Sequence, residues 1–126
     1  MRRLVLSMVL SLPLLGACGE DEKKARRAVS VQAGSGLKVT GTEYSFSPAN
    51  VVVTGGRRLT VTLANKGSLA HNLRLERDGR EAGGTPTFQG GRSRSGTVAL
   101  EPGRYRMVCT VGDHERLGMV GTLEIR

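Results

Sequence analysis

A cysteine, a histidine and a methionine recur at five-residue intervals near the end of this 126-residue chain, in Cys109-Thr-Val-Gly-Asp-His114-Glu-Arg-Leu-Gly-Met119. A thiolate, an imidazole and a thioether on one short stretch are the donor types that soft-to-borderline copper prefers. One imidazole is missing from that set, and the chain has a single other histidine, His71, in Ala70-His71-Asn72. The four side chains predict a mononuclear site holding one copper per chain as Cu(I) or Cu(II). A trigonal His71/Cys109/His114 set with a weak axial Met119 is acceptable to both valences, so an electron can come or go with little rearrangement. Taken singly, each residue has an ordinary use, methionine in core packing above all. Taken together, both histidines of the chain and its C-terminal cysteine fall at ligand positions.

Counting limits the alternatives. Two histidines are too few for a multicopper cluster or a copper/zinc dismutase site, and no second cysteine stands near Cys109 for a binuclear copper centre. A Ser/His/Asp arrangement would have to divert a ligand. The expectation is therefore a protein without catalytic residues, not an enzyme, that shuttles single electrons between redox partners. The alternative is a copper-delivery or copper-storage lipoprotein, but such sites tend to be rich in Met or Cys, and only Met107 and Met119 lie in the domain. The net charge is +8, yet the basic residues are scattered among very few aromatics (two Tyr, two Phe), which does not suggest nucleic-acid binding.

The elements that must position these ligands read as short strands broken by Gly, Pro and Asn, without a helical period. Leu37–Phe46 is expected as a first strand, followed by a turn at Ser47-Pro48-Ala49-Asn50 and a β-branched strand at Val51–Thr54. Leu59–Asn65 alternates cleanly, with Leu59, Val61 and Leu63 on one side. Asn72–Leu75 is a further strand after His71, and residues 76–92 form a long connection without a dominant pattern. Ser93–Leu100, Arg104–Cys109 and Val120–Ile125 complete the set. Seven to eight short strands with regular turn signals predict an all-β, antiparallel Greek-key β-sandwich over residues 37–126. Cys109 shares the parity of Tyr105 and Met107, opposite Arg104 and Arg106, and should point inward at the end of its strand.

These segments resemble the cupredoxins, the small type 1 blue-copper proteins. The likeness is carried by Tyr44-Ser-Phe46-Ser-Pro48 with Val51-Val-Val53, by Leu63-Ala-Asn65 and His71-Asn72, and most strongly by Gly103-Arg-Tyr105-Arg-Met-Val-Cys109 through Gly118-Met119-Val-Gly121. The ligand spacing is similar to that of auracyanins and rusticyanins. Where many relatives carry Pro-Gly-His, this chain has Gly112-Asp113-His114. The resemblance implies the ligand set His71, Cys109, His114 and Met119. It also implies that Asn72, and with it Thr110, ties the two ligand segments together by hydrogen bonds. The edge of His114, near Val111, Gly112, Leu117 and Gly118, is expected to lie under a small apolar patch where redox-partner proteins dock on a monomer.

Outside that domain the chain reads differently. Arg2-Arg3, the apolar run Leu4–Leu15 and the small residues before Cys18 have the form of an export signal over residues 1–18. Leu15-Gly16-Ala17-Cys18 resembles the lipobox of bacterial lipoproteins, which implies a lipidated Cys18 and attachment to the cell membrane, facing the periplasm or cell exterior. With Cys18 lipidated, Cys109 has no disulfide partner, and a lone thiol in an oxidising compartment is a liability unless it is buried or bound to metal. Residues 19–36 carry charge runs without an apolar period and are expected as a flexible tether.

Overall fold

Alternation of buried and exposed residues runs through most strands of the protein. The computed structural model describes residues 27–126, so the expected signal, Cys18 and the first part of the tether fall outside the described residues. Ten strands are present among them: β1 (Val29–Gln32), β2 (Leu37–Thr42), β3 (Ser45–Ser47), β4 (Asn50–Thr54), β5 (Arg58–Asn65), β6 (Arg74–Arg77), β7 (Arg80–Gly84), β8 (Ser93–Ala99), β9 (Gly103–Val108) and β10 (Val120–Ile125). They form a six-stranded sheet in the order β1-β4-β10-β9-β6-β7 and a four-stranded sheet in the order β3-β2-β5-β8. Inward-facing Leu37 and Val39 of β2, Leu59, Val61 and Leu63 of β5, Leu75 of β6, Met107 of β9 and Leu123 of β10 are all buried in the layer between the sheets. Each such side chain contributes about 1.5–3 kcal/mol on leaving water.

The all-β, two-sheet sandwich is the architecture expected, with four refinements. The pairing is mixed rather than wholly antiparallel, since β2 lies parallel to β5 and β4 parallel to both β1 and β10. A strand can rejoin its own sheet in parallel only through a crossover of a dozen or more residues, and here the chain from β2 to β5 makes that crossover through β3 and β4. Leu37–Phe46 is two strands, not one. Glu43 and Tyr44 form the corner between β2 and β3, which pair with Thr42 opposite Ser45. Burial changes phase across this corner, from odd-numbered Leu37, Val39 and Gly41 to Phe46.

The connection over 76–92 holds β7, which returns from β6 through Asp78-Gly79, both residues at positive φ as a tight hairpin turn demands. The strand lacks an apolar signature because Gly84 runs against β8, where a Cβ on Gly96 would collide with the Gly84 carbonyl oxygen. Finally, the boundary expected at residue 37 moves back. Val29–Gln32 pairs with β4, and Ala33–Ser35 forms a 3-10 turn with Ala33 buried. Most of β1 is exposed, so backbone pairing holds it without leaving a hydrophobic pattern to read.

Candidate metal centre

Cys109 lies one residue beyond β9, fully buried on the core side as its parity requires. Its amide donates to the carbonyl of Met119 at 3.2 Å, which pinches the two ends of the ligand loop together. Inside the loop, the amide of His114 donates to Val111 at 3.1 Å and that of Met119 to His114 at 3.0 Å. Leu117 donates to Asp113, and Gly118 to Glu115, each at 3.0 Å. Gly112 and Gly118, at φ of 46° and 111°, take the conformations that let so short a loop turn back on itself. Three of the four sequence-predicted ligands are thus held by a segment braced by its own backbone.

His71 arrives from the other side, after β5 and before β6. Its amide and carbonyl are both paired with Phe88, each at 3.1 Å, in an isolated two-residue bridge. The side chains of His71, Cys109 and His114 converge. Cys109 Sγ lies 3.5 Å from His114 Nδ1 and 3.8 Å from His71 Nδ1, and the two Nδ1 atoms are 3.1 Å apart. His71 and Met119 are fully buried, whereas His114 is 8 % exposed. A Cβ on Gly41 would sit 3.2 Å from Met119 Cε, so a glycine in β2 leaves the room that the thioether fills. The ring of Tyr44 stands 4.9 Å from that of His114, tilted by 56°.

Asn72 joins the two ligand segments. Its Oδ1 accepts from the Thr110 amide at 2.9 Å, and its Nδ2 donates to Thr110 Oγ1 at 2.8 Å and to Thr87 Oγ1 at 2.9 Å. Thr87 was not legible as a participant. Nor was Asn65, fully buried at the end of β5, whose Nδ2 donates to the carbonyls of Leu69 and Phe88 and whose Oδ1 accepts from Gly67. Asn65 shapes the loop that carries His71. Glu43 is the third residue missed. Its Oε1 accepts from His71 Nε2 at 3.0 Å and from the Leu69 amide at 2.8 Å. The Leu69 amide first, and then His71, hold its carboxyl below the usual carboxylate range.

The donor set fits a copper ion. Metal bonds of about 2.0–2.3 Å to nitrogen and sulfur place donors in a trigonal plane roughly 3.5–3.7 Å apart. The two sulfur–nitrogen separations, 3.5 and 3.8 Å, fall within about 0.1 Å of that spacing, and the nitrogen–nitrogen one, 3.1 Å, is a few tenths of an ångström shorter. Glu43 faces Nε2 of His71, so Nδ1 is the nitrogen of that ring turned toward Cys109 and His114. Two imidazoles and a thiol converging in a buried space, with a buried thioether beside them, suit a cation of borderline softness. Fold and donors together define a β-sandwich with a type 1 copper site of His71, Cys109, His114 and Met119.

Comparison with known proteins agrees. The family described as "Copper binding proteins, plastocyanin/azurin family" matches residues 33–126, and the chain belongs to it. Among solved structures, reduced auracyanin from Roseiflexus castenholzii superimposes with a TM-score of 0.65 at 20% identity, covering 75% of this chain and 98% of that one. Auracyanin A of Chloroflexus aurantiacus, described as a "blue" copper protein, gives 0.62 at 20% identity, with coverage of 78% and 100%. Reduced rusticyanin gives 0.58 at 16% identity, with coverage of 77% and 84%. No curated protein matches the chain. Both histidines of the chain lie in the donor cluster, and the chain is a copper protein of that family.

Proposed function

We propose that the protein shuttles single electrons between redox partners, exchanging them through the edge of His114, at the outer side of a cell membrane to which Cys18 anchors it by lipid. Bound copper supplies a one-electron couple. The chain's own residues keep water from the site, hold the two imidazoles and the thiolate at metal-bonding distances, and place one ligand edge at the surface. The observation that carries this reading is the convergence of His71, Cys109 and His114 within a buried space in which only His114 reaches solvent. Leu117, three residues after His114, is 54 % exposed, and Leu69, two residues before His71, is 44 % exposed, so each ligand-bearing loop presents an apolar side chain of the kind a transient partner covers.

Adding Cu(II) to the purified chain is expected to produce an intense blue or green colour that ascorbate bleaches and air or ferricyanide restores. A colourless copper complex would sink the shuttle in favour of delivery or storage. Docking is read by electron self-exchange between copies, measured by NMR line broadening. Leu117→Glu should slow it at least tenfold while leaving the visible spectrum in place, and an unchanged rate overturns the docking surface. Lipid anchoring predicts that Cys18→Ser moves the protein from the membrane fraction to the soluble one.

A further inference from the structure

A glutamate that bonds to the far nitrogen of a buried metal-ligating histidine is in a position to decide which nitrogen of that ring is free. We propose that Glu43 is a positioning residue for His71, holding the ring by its Nε2–H so that Nδ1 presents a lone pair toward Cys109 and His114. The inference rests on the copper reading above and adds to it a residue from the β2–β3 corner, 28 positions before the histidine it serves.

The geometry supports this from both sides. His71 is fully buried, so its Nε2–H needs a partner, and leaving it unpaired would cost about 1–3 kcal/mol. Glu43 Oε1 is that partner at 3.0 Å, and the same oxygen accepts the Leu69 amide at 2.8 Å, so the carboxylate is held from two directions. The carboxyl also lies flat against Gly67, where an added Cβ would collide with it. The Glu43 side chain remains 29 % exposed, so its charge keeps contact with water and is not stranded in the core. A carboxylate bonded to a ligand imidazole sets the tautomer, orients the ring and raises its basicity. A basic, negatively supported imidazole favours the higher valence of the metal, so the same contact should lower the reduction potential.

The test uses the full-length chain as wild type, Glu43→Gln and Glu43→Ala, each checked for folding by circular dichroism. In the metal-free proteins, long-range proton–nitrogen NMR of the histidine rings reads the tautomer of His71 directly. Copper affinity is then measured by competition with a chelator, and the reduction potential by voltammetry. Wild type should show a single Nε2–H tautomer. Glu43→Gln keeps an acceptor oxygen, so tautomer and affinity should stay within about threefold of wild type while the potential rises. Glu43→Ala should mix the tautomers and weaken copper binding about 10–100-fold, the range seen when such partners of metal ligands are removed.

A folded Glu43→Ala with wild-type tautomer and affinity overturns the proposal, as does a Glu43→Gln as impaired as Glu43→Ala. If Glu43→Ala does not fold, wild type and Glu43→Gln decide. A wild-type His71 protonated on Nδ1, or a folded Glu43→Gln that loses copper tenfold, would be fatal to it. Wild type that binds no copper would instead refute the copper reading, with the tautomer result judged separately in the metal-free protein.

Discussion

The two sides of the metal centre are held in opposite ways. The loop from Cys109 to Met119 supplies three ligands and braces itself, with bonds from Cys109 to Met119, Met119 to His114 and His114 to Val111 all inside eleven residues. His71 supplies one ligand and borrows its support from distant parts of the chain. Phe88 pairs with its backbone, Glu43 with its ring, Asn65 with the loop before it, and Asn72 beside it reaches Thr87 and Thr110. The difference teaches that chemistry can be local while its alignment is not. A local turn can carry three donor atoms, but only packing of several strands can bring a fourth to them within a few tenths of an ångström.

The largest effect should come from the self-braced loop. Cys109→Ser removes the only cysteine among the described residues and should abolish the intense visible band entirely, as a spectrum after Cu(II) addition will show. Survival of that band would mean the loop is not the centre of the site. The next effect tests the joint between the two sides. Asn72→Ala deletes three hydrogen bonds and strands the part-buried Thr110 amide, which should cost about 2–4 kcal/mol in urea unfolding and loosen copper by about tenfold or more. A loss confined to stability, with copper affinity intact, would show that the loop aligns its ligands unaided.

A smaller effect is expected from the opposite sheet. Gly41→Ala would place a methyl 3.1 Å from Leu63 Cδ1 and 3.2 Å from Met119 Cε. Overpacking of this kind costs about 1–3 kcal/mol. It should also shift the visible spectrum by moving the axial thioether, whereas a melting-temperature change with an unchanged spectrum would separate Met119 from the colour.

Much of this was legible beforehand, and the reason is periodicity. Alternation in Leu59–Asn65 and in Arg104–Cys109 placed the core face and the inward thiol, and the five-residue spacing of Cys109, His114 and Met119 marked the loop. What stayed hidden lacked a local signal. The corner at Glu43-Tyr44 sits in a stretch that alternates on both sides of it, and β1 is mostly exposed, with only Val31 packed against the core. Glu43, Asn65 and Thr87 are common residue types whose roles exist only where strands from different parts of the chain meet.

The smallest effect concerns acid. The carboxyls of Glu81, through Arg74, and of Glu124, through Arg126, are held below their ordinary value of 4.5. A depressed carboxyl is ionised in the fold at a pH where the unfolded chain has begun to bind its proton, so its contribution is complete above about 4.5 and is lost as pH falls through the lower folded value. Both pairs are solvent-screened, so the decline between pH 5 and 3 should be slight for each. Glu81→Gln should flatten its share of a urea-midpoint series over that range, and an unaltered slope would show that the Arg74 pair contributes nothing.

The amino-acid sequence by itself determined the donor types, their order along the chain and the two-faced strands that bury them, because ligand chemistry and period-two patterning are properties of neighbouring residues. Only the tertiary structure decided that β2 runs parallel to β5, that Gly41 makes room for Met119, and that a glutamate from a strand corner meets the far nitrogen of His71. Those facts depend on which distant segments share a volume, and close packing of two sheets settles that.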